Sequence, residues 1–304
     1  MNPWTVLGCG AIGGLIACQL QQAGVPIQLL PRKPQASHTI SLISNGRESR
    51  YQFAVAGETP VEQLILATKT YQSEAAVDAV RDRLSDSAII IVLQNGMGTA
   101  DWLQSQLPNA IVMGATTTHG AYRESPERIV HAGAGTTWLG PLQSAHRSMA
   151  QSVYQQWADL NAPVEWDPNI LQRLWLKLAI NCAINPLTVI FDCRNGELLQ
   201  IPAALNMMDA IVAEFVQVYN AAFGVQPPQD VLITVKQVAE NTANNISSMR
   251  QDILQGQPTE IGAINAYLVA QGKQLGIACP SNEAVIQQVR EREPNSSDSA
   301  SQSV

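Results

Sequence analysis

The chain is short of positive charge: 18 Lys and Arg stand against 25 Asp and Glu in 304 residues, a formal net charge of -7. A nucleic-acid partner, which favours a basic face, is therefore not expected, and no block of like charges forms a polybasic arm. Paired cysteines are missing as well. Cys9, Cys18, Cys182, Cys193 and Cys279 are odd in number and none has Cys-x-x-Cys spacing. That pattern argues against a disulfide frame or a zinc site, and for a reducing compartment. No basic stretch leading into an apolar core opens the chain, so no signal peptide is read there. The longest apolar run, residues 174–191, is broken by Lys177, Asn181, Asn185 and Pro186, a combination ill suited to lipid. Neither a metal nor a membrane partner is expected, and the expected location is cytoplasmic.

What is present begins with a short apolar strand at residues 5–7, then GCGAIG, then an amphipathic helix ending near Gly24. Gly8, Gly10 and Gly13 fit G-x-G-x-x-G placed between a strand and a helix, the arrangement that cradles a dinucleotide pyrophosphate. Gly8 permits the turn, Gly10 lets the phosphates approach, and Gly13 lets helix and strand lie close. Cys9, Ala11 and Ile12 fill the same loop, whose amides meet the phosphates at a helix N-terminus. The second strand, residues 25–30, ends in Pro31-Arg32-Lys33 with no carboxylate in the position that binds ribose hydroxyls. Arg32 suits a 2′-phosphate, so the expected cofactor is NADP(H).

Residues 39–43 and 51–55 read as a hairpin across Asn45-Gly46. Strands follow at 64–68 and 88–93, with a helix expected over 73–84. Lys69 and Asn95 fall at the carboxyl ends of those strands, where ligands bind in an open parallel sheet. Each also has a plain reading, Lys69 as an exposed loop lysine and Asn95-Gly96 as a favoured turn pair. His119, a lone histidine, supports no assignment. Alternating strands and helices make this half a doubly wound α/β domain, residues 1–166. From 167 to 293 the pattern is helical, with segments expected at 169–184, 203–223, 229–245, 258–274 and 281–292. Residues 294–304 cannot form a core and read as a disordered tail.

Lys177, Asn181 and Asn185 recur at intervals of four, so each steps only ~40° round a helix. Pro186 predicts a kink or a helix end there. A lysine among Leu, Trp and Ile either reaches out to solvent along its stem or faces a polar cavity. Further on, Ser248 with Gln251 fits a capping box. Pro258-Thr259-Glu260 has the proline and carboxylate that favour a helix start.

Together these stretches resemble the ketopantoate reductase (2-dehydropantoate 2-reductase) family. The likeness is carried by GCGAIG at 8–13, QNGMGT at 94–99, GATTTHG at 114–120, LWLKLAINCAINPLTVI at 174–190, NGEL at 195–198 and NISSMRQDI through TEI at 245–261. It implies an N-terminal Rossmann-type domain followed by an all-helical C-terminal domain of the 6-phosphogluconate-dehydrogenase-like kind. It also implies NADPH-dependent reduction of ketopantoate to (R)-pantoate, on the route to pantothenate and coenzyme A. In that family's pattern Lys177 and Glu260 are catalytic, while Asn95, Asn181, Asn185, Asn245 and Ser248 bind substrate. Arg32, Lys69, Asn95 and Glu260 join the glycine loop in holding the cofactor. The implied partner is a small-molecule substrate, and the implied state a monomer or homodimer. A related 2-oxo acid or 2-hydroxy acid dehydrogenase, or a catalytically silent NADP(H)-binding sensor module, are the alternatives.

Overall fold

The structure, a computed structural model, describes residues 2–31 and 37–294. Arg32, Lys33 and the tail from residue 295 lie outside the described residues. The chain divides into two compact units, Met1–Gln94 with Gly98–Leu174, and Asn95–Met97 with Trp175–Val304.

In chain order the first unit begins with β1 (Trp4–Leu7), α1 (Ala11–Gln22), β2 (Ile27–Leu30), β3 (Ser37–Ser44), β4 (Arg47–Val55) and β5 (Val61–Leu66). It continues with α2 (Ser73–Asp78), β6 (Leu84–Leu93), α3 (Thr99–Gln106), β7 (Ile111–Thr117), β8 (Gly120–Ser125) and β9 (Arg128–Gly133). β10 (Thr137–Pro141), α4 (Arg147–Ala158) and β11 (Val164–Trp166) complete it. The strands join in one sheet of order β11-β10-β7-β6-β5-β1-β2-β4-β3-β9-β8. Its centre, β2-β1-β5-β6-β7, is parallel. Val6, Leu64, Leu66 and Ile90 there are wholly buried, as strands covered on both faces require. Because β2 and β5 flank β1 on opposite sides, the winding reverses at β1. Its carboxyl end is the place where such sheets take ligands.

The expected hairpin is present, with Asn45 and Gly46 both at positive φ (50° and 72°), the geometry of a tight two-residue turn. The helix expected over 73–84 is shorter. α2 stops at Asp78, a 3-10 turn covers Arg81–Arg83, and Leu84 already pairs with Val61. Most residues of β8 are exposed, so its sequence shows no alternation to read.

α5 (Ile170–Ile190) passes its first five residues in the first unit and the rest in the second. The second unit continues with α6 (Pro202–Phe223), α7 (Val231–Asn241), α8 (Ser248–Leu254), α9 (Asn265–Gln274) and α10 (Pro280–Arg290). α6 opens on proline and closes on Gly224 at φ 68°, the favoured asymmetry of helix ends. Its stripe Ala204, Met208, Ile211, Phe215 and Val218 is buried, the spacing of a core-facing helix. Around Trp175 stand Phe215, Phe223 and Tyr267 at ring separations of 6.1, 5.5 and 6.2 Å.

Two expectations are corrected here. Of the kink or helix end expected at Pro186, the end does not occur: α5 runs through it, and the Cys182 carbonyl that proline leaves without a backbone donor receives the Asn265 side-chain amide at 3.1 Å. The helix expected from 258 begins only at Asn265. Thr259 donates its N–H and its hydroxyl to Glu293 Oε1 at 2.8 and 2.5 Å, which anchors the non-helical segment whose residues 261–264 form turns.

Candidate active site

The glycine loop follows β1. Gly8 has φ +102°, and a Cβ there would lie 2.4 Å from the Thr68 nitrogen. A Cβ on Gly13 would lie 2.1 Å from the Gly8 carbonyl oxygen. Gly10 is different, because a Cβ there would meet nothing within 4 Å. The loop is thus tight where it packs and open where a ligand would come. The first bond along α1 runs from the Gly14 N–H to the Gly10 carbonyl at 2.9 Å, so the amides of Ala11, Ile12 and Gly13 have no acceptor within the helix. No acidic residue stands in that first turn. Open space above Gly10, amides at a helix start and no competing carboxylate fit a dinucleotide pyrophosphate. Burial pushes the Cys9 thiol up to about 11, so it sits in the loop as a neutral group.

Lys69 follows Thr68, the residue that packs on Gly8, and is half-buried beyond the end of β5. Gln94, the first residue of the QNGMGT stretch and given no role by its sequence, ties this place together. Its Nε2 donates to the Thr68 carbonyl at 2.8 Å and to Ser73 Oγ at 2.6 Å. His119 has a structural setting: its Nδ1 accepts the Gly135 N–H at 2.9 Å and lies 2.9 Å from His131 Nε2.

In the second unit, Lys177 rises from α5 between buried Trp175 and Leu178. Part of its surface stays open to solvent, yet protein crowds it closely. Loss of water from the ammonium lowers its pKa from 10.5 to about 8, and the negative charge of Glu260 pulls the other way. Glu260 is itself 6% exposed. One turn beyond Lys177, Asn181 Nδ2 donates to the Asn95 carbonyl at 3.4 Å. The Met97 N–H donates to the Ala263 carbonyl at 2.8 Å, and the Ala263 N–H donates to the Glu260 carbonyl at 3.0 Å. Residues 95–97 are thereby tied both to α5 and to the segment that carries Glu260. Lys177, Asn181, Asn95 and Glu260 are brought into one neighbourhood.

Asn185 is nearly buried, and its carbonyl accepts the Thr188 hydroxyl at 2.7 Å. Ser248 does not cap α8. That role falls to Ser247, whose Oγ accepts the Arg250 N–H at 3.1 Å and lies 2.6 Å from Thr188 Oγ1. Gln251 turns instead to the Ile246 carbonyl at 3.0 Å. Ser248 is left exposed at the start of the helix, as is Asn245 before it. Asn195 of the NGEL stretch steadies that turn, giving its N–H to the Asn245 carbonyl at 3.1 Å and its amide to Thr242 Oγ1 at 2.9 Å.

Comparison with known proteins sets this arrangement among relatives. The model of "Ketopantoate reductase PanE/ApbA" matches residues 4–144, and that of the family's C-terminal part matches residues 169–293. The chain belongs to the ketopantoate reductase family. It is 36% identical to the 2-dehydropantoate 2-reductase of Vibrio cholerae over 285 residues, covering 94% of this chain and 96% of the relative. It is 30% identical to that of the archaeon Archaeoglobus fulgidus over 290 residues, with 94% and 96% covered. Among solved structures, the family's ketopantoate reductase from Ralstonia eutropha superposes with a TM-score of 0.84 at 26% identity, covering 96% and 98% of the two chains. A D-mandelate dehydrogenase with NADH and anilino(oxo)acetate has a TM-score of 0.86 at 23% identity, with 96% and 98% covered, a likeness of fold. The Rossmann-type first domain and helical second domain are those expected. No helix of the described residues is long and apolar enough to cross a membrane.

Proposed function

We propose that this chain reduces ketopantoate to (R)-pantoate with NADPH, supplying the route to pantothenate and coenzyme A. The observation that carries the reading is Lys177, half-buried on α5 beside buried Trp175 and Leu178 and within the field of buried Glu260, with loss of water lowering its pKa to about 8. A lysine so placed is protonated at neutral pH and close enough to its pKa to give the proton up. The substrate's C=O becomes an alkoxide as its carbon accepts hydride, and a cation at that oxygen favours the transition state over the ground state. NADP(H), when bound, supplies the hydride. Lys177 then delivers the proton that completes the alcohol, and Glu260 orients the ammonium.

In the same reading Asn181 and Asn185 grip the substrate hydroxyl, Ser248 and Asn245 its carboxylate end, and Asn95 lies toward the nicotinamide. Paired amides that reward a hydroxyl discriminate sharply against analogues without one. Gly8, Cys9, Gly10, Ala11, Ile12 and Gly13 would hold the pyrophosphate, with Arg32 and Lys69 providing positive charge to the phosphates. The enzyme would act in the cytoplasm as a monomer or homodimer on a small molecule; its acidic balance supports the absence of a nucleic-acid partner.

The direct test follows NADPH consumption with ketopantoate beside pyruvate and 2-oxoisovalerate, which lack the hydroxyl. We expect kcat/KM for ketopantoate to lead by ~10²-fold or more. Equal rates would point to a broader 2-oxo acid reductase, and no consumption with any of them to a binding module without catalysis. A second test concerns Arg32. Arg32→Ala should weaken NADPH by ~10-fold or more while NADH changes little, and equal weakening would remove Arg32 from recognition of the 2′-phosphate.

A further inference from the structure

A proline at position 186 removes the N–H that would bond the Cys182 carbonyl four residues earlier. That carbonyl lies between Asn181 and Asn185 on α5, in the turn on which the proposed substrate amides stand. It is not left open. Asn265, wholly buried, donates Nδ2 to it at 3.1 Å and to Asn282 Oδ1 at 2.9 Å. Asn282, also wholly buried, donates Nδ2 to Glu214 Oε2 at 2.7 Å. Glu214 in turn accepts the N–H groups of Ser281 and Asn282 at 2.7 and 3.0 Å, fastening the start of α10.

The direction of this chain is fixed by chemistry. A carboxylate and a carbonyl can only accept, so both Asn282 and Asn265 must present N–H groups toward Glu214 and Cys182 as they do. Asn265 holds this orientation although its own Oδ1 stays buried with no partner among the described residues, a costly arrangement that a mere core filler would avoid. Asn265 is also the first residue of α9, two beyond Ala263, which bonds both Met97 and the Glu260 carbonyl. One side chain therefore couples the α5 turn bearing Asn181 and Asn185 to the segment bearing Glu260.

We infer that Asn265 is a positioning residue: by taking the carbonyl that Pro186 frees, it sets the register between the Lys177–Asn181–Asn185 face of α5 and Glu260. The inference rests on the proposed reduction, and wild-type activity with ketopantoate tests that reading before any variant is made. Asn265→Leu keeps apolar bulk but no donor. In the folded protein it should lower kcat/KM for ketopantoate by ~10-fold or more, since small displacements of catalytic groups are amplified in rate. The Kd for NADPH should stay near that of the wild type. The decisive variant is the double, Asn265→Leu with Pro186→Ala. Replacing the proline restores the helical N–H to the Cys182 carbonyl, and kcat/KM should return to within about threefold of the wild type. Should Asn265→Leu fail to fold, Asn265→Asp, of equal volume but an acceptor when ionised, replaces it in the same cycle. A folded single variant with wild-type kcat/KM overturns the inference. So does a double variant no more active than the single, since a role confined to stability would move the melting temperature without this rescue.

Discussion

Lys177→Met is expected to lower kcat with ketopantoate by ~10²-fold or more, leaving the Kd for NADPH within about twofold of the wild type. Methionine keeps the stem's packing and removes only the charge and the proton. The separation follows from where the groups stand: Lys177 belongs to the helical unit, whereas the glycine loop belongs to the first. Stability supplies a control. With its folded pKa lowered to about 8 from 10.5, Lys177 binds its proton more readily in the unfolded chain between those values. Keeping the charge therefore opposes folding below pH 8, and the opposition fades as pH rises from 8 toward 10.5. The variant should melt at or above the wild-type temperature near neutral pH, with the gap closing across that window. The wild-type pH–rate profile should fall above about 8 as the acid form is lost. Near-normal turnover by a folded Lys177→Met protein would remove Lys177 from the chemistry.

Much of this was legible in the chain because some residues state a backbone requirement by themselves. Gly8 and Gly13 occupy places where a Cβ would collide with backbone, so their spacing reports the turn and the helix approach directly. The four-residue recurrence of Lys177, Asn181 and Asn185 likewise survives as one continuous helix. Where local signals misled, a distant partner had decided the matter. Pro258 and Glu260 carry the marks of a helix start, yet Glu293, 34 residues from Thr259, anchors the segment in a non-helical form. Ser248 with Gln251 reads as a capping box, yet the cap falls one residue earlier on Ser247, whose hydroxyl meets Thr188, 59 residues away. Pro186 signals an interruption, and the Asn265 amide, 83 residues away, supplies the Cys182 carbonyl with the donor that proline removes. Asn95 reads as a sheet-end residue, but its carbonyl bond to Asn181 goes with its place in the helical unit. Long-range hydrogen bonds of this kind leave no periodicity in the sequence.

The glycine loop offers a second large effect, and one that separates folding from binding. Gly13→Ala places a Cβ 2.1 Å from the Gly8 carbonyl oxygen and 2.9 Å from Ala67 Cβ. The first contact is with backbone and cannot be relieved by turning a side chain, so helix and strand must part at a cost of about 1–3 kcal/mol or more. The melting temperature of the first unit should fall and NADPH binding should fall with it. Gly10→Ala meets no atom within 4 Å, and its φ of -69° suits alanine, so the melting temperature should hold or rise slightly. If the pyrophosphate passes over Gly10, this benign methyl should nonetheless weaken NADPH on the order of tenfold or more. Calorimetry and NADPH titration on the two variants distinguish the cases. A Gly10→Ala protein that binds NADPH like the wild type would show that the phosphates do not cross that space. A Gly13→Ala protein with unchanged melting would show that α1 need not lie against the Gly8 turn. The pair works because two glycines three residues apart face opposite conditions, one pressed against the protein's own backbone and the other facing open space.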